Sequence, residues 1–356
     1  MTVFSKKGFT KRLFPLNNEA RQLSLSYLKN MPNKRKPRDG SMQFWPRVRA
    51  DREYPRLKNQ PVIKDVKPVG FAGYKVGMTH IIVTDNLPNG LSKGQDLFVP
   101  VTIIECPPLK VSSLKFYKNT QDGRKTVGEV YSSSLDKEFE RKALKPMSVK
   151  KIEDVKDFDD VRLVVYTQPK LTGIGKKMPE IFEVAIGGSK DDKLKYAQEK
   201  LGKEITVKEV FREGQQLDVH AVTKGKGTQG PMKRFGISRR RHKSEKSIRN
   251  PGSLGAWKAQ GKTMWRVAHA GKTGYNNRTE YNKWLMKIGE KGEEIAQSGG
   301  IHNYGIVKNN YLLVKGGIAG PAKRLIRLND AIRAKKQTPK NAPEILYVSQ
   351  ATKQGN

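Results

Sequence analysis

The apolar positions of this chain fall mostly in short β-branched runs rather than at helical spacing. VGFAGYKVGMTHIIV, from Val69, and LFVPVTIIEC are separated by the turn-rich DNLPNGLSKGQD, which predicts two strands joined by a loop. VRLVVYTQ, IFEVAIG, ITVKEVF and QLDVHAVT predict further strands. YGIVKNNYLLVKGGI, LIRL and ILYV complete the β content towards the end of the chain. Helical spacing is confined to a few segments. SSLDKEFERKAL sets Leu135, Phe139 and Ala143 four residues apart, with Pro146 just beyond. DDKLKYAQEKLG can be opened by Ser189 or Asp191 and closed by Gly202, and YNKWLMKIG predicts a short helix.

Strands at both ends of the body, with most of the helix between them, predict a mainly β fold with an α/β insertion: a small β-barrel interrupted twice. A barrel pairs its own sheet edges, so long loops can leave it without undoing it. The expected divisions are a basic N-terminal extension over 1–65, a barrel body from 66–104 with 205–222 and 281–350, an α/β insertion over 105–204, a basic loop over 223–280 and a tail over 351–356. In the extension, Pro32, Pro37, Pro46 and Pro55 rule out regular helix, so it reads as an extended arm carrying Phe44, Trp45 and Tyr54 among its charges.

Charge sharpens this division. The 356 residues hold 70 Lys plus Arg against 34 Asp plus Glu, a formal charge of +36, with a mean hydropathy of -0.69. Residues 1–60 have 15 basic and 4 acidic residues, whereas residues 105–204 have 21 and 17. Between Thr223 and Arg278 there are 15 Lys plus Arg and one carboxylate, Glu245, together with nine glycines and no period that could build a core. Such a segment repels itself and calls for a dense polyanion, of which nucleic-acid phosphate is the obvious one. Roughly two hundred residues have the apolar content to share a core, and the arms need other partners. No run approaches the roughly twenty apolar residues of a membrane span, and no apolar signal core opens the chain, although its basic start is compatible with a transit peptide. Cys106 is the single cysteine, which excludes an intrachain disulfide and a cysteine-rich zinc site, suits a reducing cytoplasm, and reads as a small core residue at a strand end.

Enzyme motifs fail on their context. Gly225-Lys226-Gly227-Thr228-Gln229-Gly230 fits the dinucleotide spacing, but Pro231 and RFGISRRR follow where a helix should open, and Asn250 stands where an acid is needed. Two Gly-Lys-Thr triplets lack the leading glycine of a phosphate loop, since Ala256 and Arg266 occupy those places. The five histidines, His80, His220, His242, His269 and His302, show no ligand spacing, so no metal, cofactor or small-molecule substrate is expected. A DNA-compacting protein would share the charge but would not need the glycine and tryptophan pattern.

RNA chemistry accounts for what remains. Glycines in TKGKGTQG let the backbone approach phosphates. Arginines 234, 239, 240, 241 and 249 can fork onto phosphate oxygens or stack on bases, and Trp257 and Trp265 offer flat surfaces to unpaired nucleotides. The candidate RNA-binding set in the extension is Arg35, Lys36, Arg38, Trp45, Arg47 and Arg49. In the loop it is Lys224, Lys226, Lys233, Arg234, Arg239, Arg240 and Arg241, then His242, Lys243, Arg249, Trp257 and Lys258, then Lys262, Trp265, Arg266, Lys272 and Arg278.

An aromatic, an acid, a small residue and a hydroxyl followed by G-[basic]-G-x-x-G-x-x-x-R occur together here, at Phe211, Asp218, Ala221, Thr223, Gly225, Lys226, Gly227, Gly230 and Arg234. In this the chain resembles the universal large-subunit ribosomal protein L-three family. GFAGYKVGMTHII, with Gly73, Lys75, Gly77, Met78 and Thr79, looks like that family's first barrel strands. GAWKAQGKTMWRVAHAGKTGYNNRTEYNKWLMKIGE and RDGSMQFWPRVRA resemble its archaeal and eukaryotic branch. The resemblance implies a translation-factor-like β-barrel with an α/β insertion and binding near the 3′ region of large-subunit rRNA. It also implies an early role in subunit assembly beside neighbouring ribosomal proteins, and a loop running towards the peptidyl-transferase centre. Trp257 would stand at the loop tip. His242 lies farther before Trp257 than the family's modifiable histidine, so that modification does not carry over.

If that placement holds, Trp257→Ala still enters the large subunit but alters drug sensitivity or slows peptide transfer, because one stacking contact is worth only about 1–3 kcal/mol beside the summed phosphate contacts. Replacing Arg239, Arg240 and Arg241 together with Ala impairs incorporation first. Subunit incorporation measured beside peptide-transfer rate separates the two, and loss of assembly in the tryptophan variant alone reverses the assignment.

Overall fold

The computed structural model describes residues 39–57, 60–148, 150–155, 157–244, 247–255 and 261–352. The chain divides into two compact units, one formed by Met1–Trp45 with Gly230–His269 and the other by Pro46–Gln229 with Ala270–Asn356.

The larger unit is built on antiparallel strands. β1 (Gly70–Thr84) and β2 (Asp96–Glu105) form the expected pair around the 85–95 loop, in register from Tyr74↔Glu105 to Thr84↔Asp96. Downstream come β3 (Leu109–Thr120), β4 (Gly123–Tyr131), β5 (Asp160–Tyr166), β6 (Ile181–Ala185), β7 (Glu204–Ile205) and β8 (Gln216–Val222). After these follow β9 (Gly225–Gln229), β10 (Gly271–Gly274), β11 (Asn277–Gly289), β12 (Tyr311–Lys315), β13 (Leu325–Asp330) and β14 (Ile345–Val348). One sheet runs β13-β8-β11-β12-β2-β1-β14, and β13 also pairs with β1. Six strands therefore close a hydrogen-bonded ring, with β14 added along the far half of β1. Val76, Ile81, Val101, Leu217, Leu285 and Leu313 are among its buried core.

A second sheet, β4-β3-β5-β6 with β7 on β3, is formed by residues 109–205. Its hairpin β3–β4 goes beyond the strands the apolar pattern picks out, because Ser112 and Ser113 are wholly buried in it and break the hydrophobic alternation. Ser112 donates to the Val164 carbonyl and Ser113 to Glu129, which makes their burial tolerable. β13 is buried at every position, and its Arg327 reaches the Glu183 carbonyl and the Phe182 ring on β6. The second sheet therefore covers part of the ring.

Helix is scarcer than the spacing suggests. α1 is only Lys137–Glu140, α2 is Lys190–Lys200 with Ser189 capping the Asp192 amide, and α3 is Val207–Val210. Two expectations are overturned. Residues Val207–Val210 turn as a helix rather than a strand because Thr206 and Glu209 form a capping box. YNKWLMKIG lies in β11 rather than in a helix, since β8 and β12 both claim its backbone. A register shift between Glu280 and Lys283, with Asn282 at φ 56, breaks the strand alternation and leaves an apolar cluster that imitates a helical face. Cys106 is buried just past β2, as its placement implied.

His220 on β8 is 9% exposed and its Nδ1 lies 2.9 Å from the Thr279 hydroxyl. Burial, reinforced by Arg327 and opposed by Asp218, lowers its pKa from 6.5 to about 4. The unfolded chain therefore binds the proton first. This residue's contribution to stability is complete above about pH 6.5 and is lost as pH falls towards 4, an effect of up to ~3 kcal/mol. Denaturation midpoints measured against pH should lose that component in His220→Gln, and an unchanged profile would show that the ring is hydrated in the fold.

Candidate nucleic-acid interface

The basic segment is anchored in the larger unit by a short two-stranded sheet. β9 pairs antiparallel with β10, and Thr223 and Asn276 close its end with two bonds, Thr223 N–H to the Asn276 carbonyl at 3.0 Å and Asn276 N–H to the Thr223 hydroxyl at 3.1 Å. Gly274 sits at φ 75, where a Cβ would stand 2.0 Å from the Lys224 carbonyl oxygen, so only glycine lets the strands approach this closely. Tyr275 follows at φ 52, its carbonyl accepting from the Ala50 amide at 2.9 Å. The Arg49 and Arg324 guanidiniums each lie 5.2 Å from the centroid of its ring. Arg324 also donates to the Val222 and Thr223 carbonyls. The stretch after Pro46 is thus held on the same residues that anchor the loop.

Arg47, Lys224, Lys226, Lys272 and Arg278 line one cleft of about 270 Å³ together with Thr223, Thr273, Gly274 and Asn276. None of its described lining residues is a carboxylate. Burial, and then the charge of Arg47, holds the Arg278 guanidinium below its usual pKa. Lys75 is lowered in the same way, by burial and by Lys224, with Glu280 opposing. Its ammonium donates to the Ile318 and Gly320 carbonyls. Like charges are thus held together by the fold, which leaves a focused positive potential suited to an oxyanion. Thr273 adds a buried hydroxyl with no partner among the described residues, and the Lys272 ammonium donates to the Asn276 amide oxygen.

Within the smaller unit, Pro231–Phe235 forms helix α4, begun by Pro231 and ended by Gly236 at φ 71. Trp45 stacks on Phe235, with centroids 5.7 Å apart at 20°, and meets Trp265 edge-on at 5.2 Å and 63°. Arg234 lies over Phe235 at 5.0 Å and donates to the His269 carbonyl. Arg240 bonds the Ile248 and Pro251 carbonyls. The segment thus has local packing that its charge and lack of period did not suggest. Trp45 and Trp265 are engaged with protein rings rather than presented bare, although Trp265 remains 59% exposed. Lys233, Arg239, Arg241, His242, Lys243, Arg249, Lys262 and Arg266 are exposed. Arg35, Lys36, Arg38, Trp257 and Lys258 lie outside the described residues. Tyr275, Thr273 and Arg324 belong to the site but carry no signal in the sequence, since their place depends on contacts with distant segments.

The spaced motif from Phe211 to Arg234 now has physical content. Phe211 is 1% exposed, and Asp218, fully buried, accepts from the Asn282 amide at one oxygen and the Ile332 amide at the other, both at 3.0 Å. Thr223 closes the β9–β10 end, and Gly227 stands at φ 62 with open space around it. The model of the family described as Ribosomal protein L3 matches residues 31–355. The chain belongs to the ribosomal protein L3 family. A large ribosomal subunit protein uL3 from Archaeoglobus fulgidus is 46% identical over 328 residues, 90% of this chain and 98% of the relative. Those of Methanosphaera stadtmanae and Methanocaldococcus jannaschii are 45% and 43% identical, over 91% of this chain and 100% and 99% of their own lengths.

Asp218 makes no contact with the basic cleft, so in this L3-family chain it is a structural acid. Asp218→Ala should cost about 3 kcal/mol, because the Asn282 and Ile332 amides both lose their acceptor. Asp218→Asn should lose less, its one carbonyl oxygen keeping one bond. Urea midpoints of the three proteins provide the measurement, and equal midpoints would mean that water replaces the carboxylate.

Proposed function

We propose that this L3-family chain is a structural constituent of the large ribosomal subunit that binds large-subunit rRNA and carries no catalytic site. The acid-free cleft of Arg47, Lys224, Lys226, Lys272 and Arg278 carries the reading. Guanidinium and ammonium groups brought together on one cleft suit phosphate oxygens, and phosphate contacts set position along an RNA while bases set sequence. The relatives, each a large ribosomal subunit protein, support the same assignment. On this reading the closed ring is the translation-factor-like β-barrel, residues 105–204 are its α/β insertion, and the exposed cations of 230–269 follow rRNA. Binding near the 3′ region, an early part in assembly and a loop directed towards the peptidyl-transferase centre go with it. The partners are rRNA and neighbouring large-subunit proteins, and the location is the cytoplasmic ribosome.

Salt titration tests the cleft. Each neutralised phosphate releases roughly 0.7–0.9 of a counterion, so Lys226→Ala with Lys272→Ala should flatten the slope of log affinity against log salt by about 1.4–1.8. Competition with duplex DNA at physiological salt decides between folded rRNA and a general nucleic-acid binder. An unchanged slope moves the interface elsewhere, and equal affinity for the DNA overturns the ribosomal assignment of this surface.

A further inference from the structure

A second cleft in the larger unit, about 420 Å³, is formed by residues 52–57, by β3, β4, β5 and β6 and by Arg327 of β13. Arg327 is 4% exposed, lies 4.4 Å over the Phe182 ring and donates one terminal nitrogen to the Glu183 carbonyl at 2.7 Å. Its Nε is buried without a hydrogen-bond partner among the described residues. Arg52 and Arg56 stand exposed on the same cleft, and among the described residues none of the three arginines pairs with a carboxylate. The two acids of the cleft are already engaged. Glu183 pairs with Lys115 at 3.2 Å and Arg162 at 3.6 Å, and Glu129 accepts from the Ser113 hydroxyl at 2.6 Å. Three guanidiniums are thus left over, one of them desolvated, a costly arrangement unless an anion completes it.

We propose that this cleft binds one unpaired RNA nucleotide, its phosphate held by Arg52, Arg56 and Arg327 and its base beside Tyr131 and Glu129. The inference rests on the RNA-binding reading above and adds a site remote in sequence from the basic loop. Planar guanidiniums fork onto a phosphate, and the cleft has the size for a single nucleotide. Tyr131 supplies the donor that recognition of a base edge requires, and Glu129, whose Oε1 takes the Ser113 hydroxyl, supplies the acceptor through its second oxygen. An acidic peptide would bring further carboxylates towards Glu129 and Glu183, and so fits less well.

Arg52 and Arg56 are exposed, so replacing both with Ala leaves the fold intact. In the full chain this double variant should bind single-stranded RNA about tenfold more weakly at physiological salt while its affinity for duplex RNA holds. Ultraviolet crosslinking with mass spectrometry should place a nucleotide adduct on the Tyr131 peptide of the parent protein and not of the variant. Unchanged single-strand affinity without a Tyr131 adduct, while Lys226→Ala with Lys272→Ala still weakens binding, removes this site and leaves the general RNA reading standing. Wild-type binding by both double variants removes both. Displacement of the RNA by a glutamate-rich peptide at equal concentration reassigns the cleft to a protein partner, and displacement by millimolar inorganic phosphate reduces it to a simple anion site.

Discussion

The body depends on one seam, where the start of β1 meets β13. Gly70 to Tyr74 pair with Asn329 to Leu325, while the far half of β1 pairs with β14. Without that seam the long sheet would have two open edges, and strand edges without partners invite association with other chains. The approach is close enough to need glycine. A Cβ on Gly70 would lie 2.3 Å from the Asn329 side-chain oxygen and 2.9 Å from the Leu328 carbonyl oxygen of β13. β13 then carries consequences in both directions, because its other edge holds β8, and β8 leads directly into the basic segment.

Closure explains how so much positive charge is tolerated. The larger unit keeps its carboxylates where they balance cations or brace turns. Glu105, fully buried at the end of β2, accepts the amides of Lys308 and Asn309 and the hydroxyl of Tyr304. Asp160 gathers Lys193, Arg124 and Arg162. Lys75 and Arg324 are held instead by backbone carbonyls, and Arg324 by an aromatic ring as well, groups that fix a side chain without neutralising it. Arg324 between Tyr275 and two carbonyls is the clearest case, since its position is set while its charge remains available.

Much of this was legible along the chain, and the limits have physical causes. The β1–β2 pair, the strands at 160–166 and 181–185, the Ser189 cap and the acid-free cleft residues follow from local patterns and charge. Val207–Val210 misleads because its two valines suit a strand until the capping box of Thr206 and Glu209 is weighed. β11 was misread because its irregularity at Asn282 is imposed by Asp218, sixty-four positions away. The trio of Trp45, Phe235 and Trp265 and the desolvation of Arg327 are likewise products of distant segments meeting, which no periodicity reports.

The glycine-rich motif illustrates how one sequence feature can serve two levels. Its spacing suits phosphate binding in the abstract, and the same residues, Gly225–Gln229, form the strand that pairs with Gly271–Gly274, where a side chain on Gly274 would collide with the Lys224 carbonyl. Pairing brings Lys224 and Lys226 beside Lys272 and Arg278, and the residues after Pro46 bring Arg47 to the same place. In a flexible tail those five cations would separate to relieve their repulsion. Here the backbone hydrogen bonds of Thr223, Asn276 and Tyr275 hold them together before any ligand arrives. On the proposed rRNA-binding reading, the entropic and electrostatic costs of assembling the site are met by folding, so binding would gain affinity from a geometry already in place.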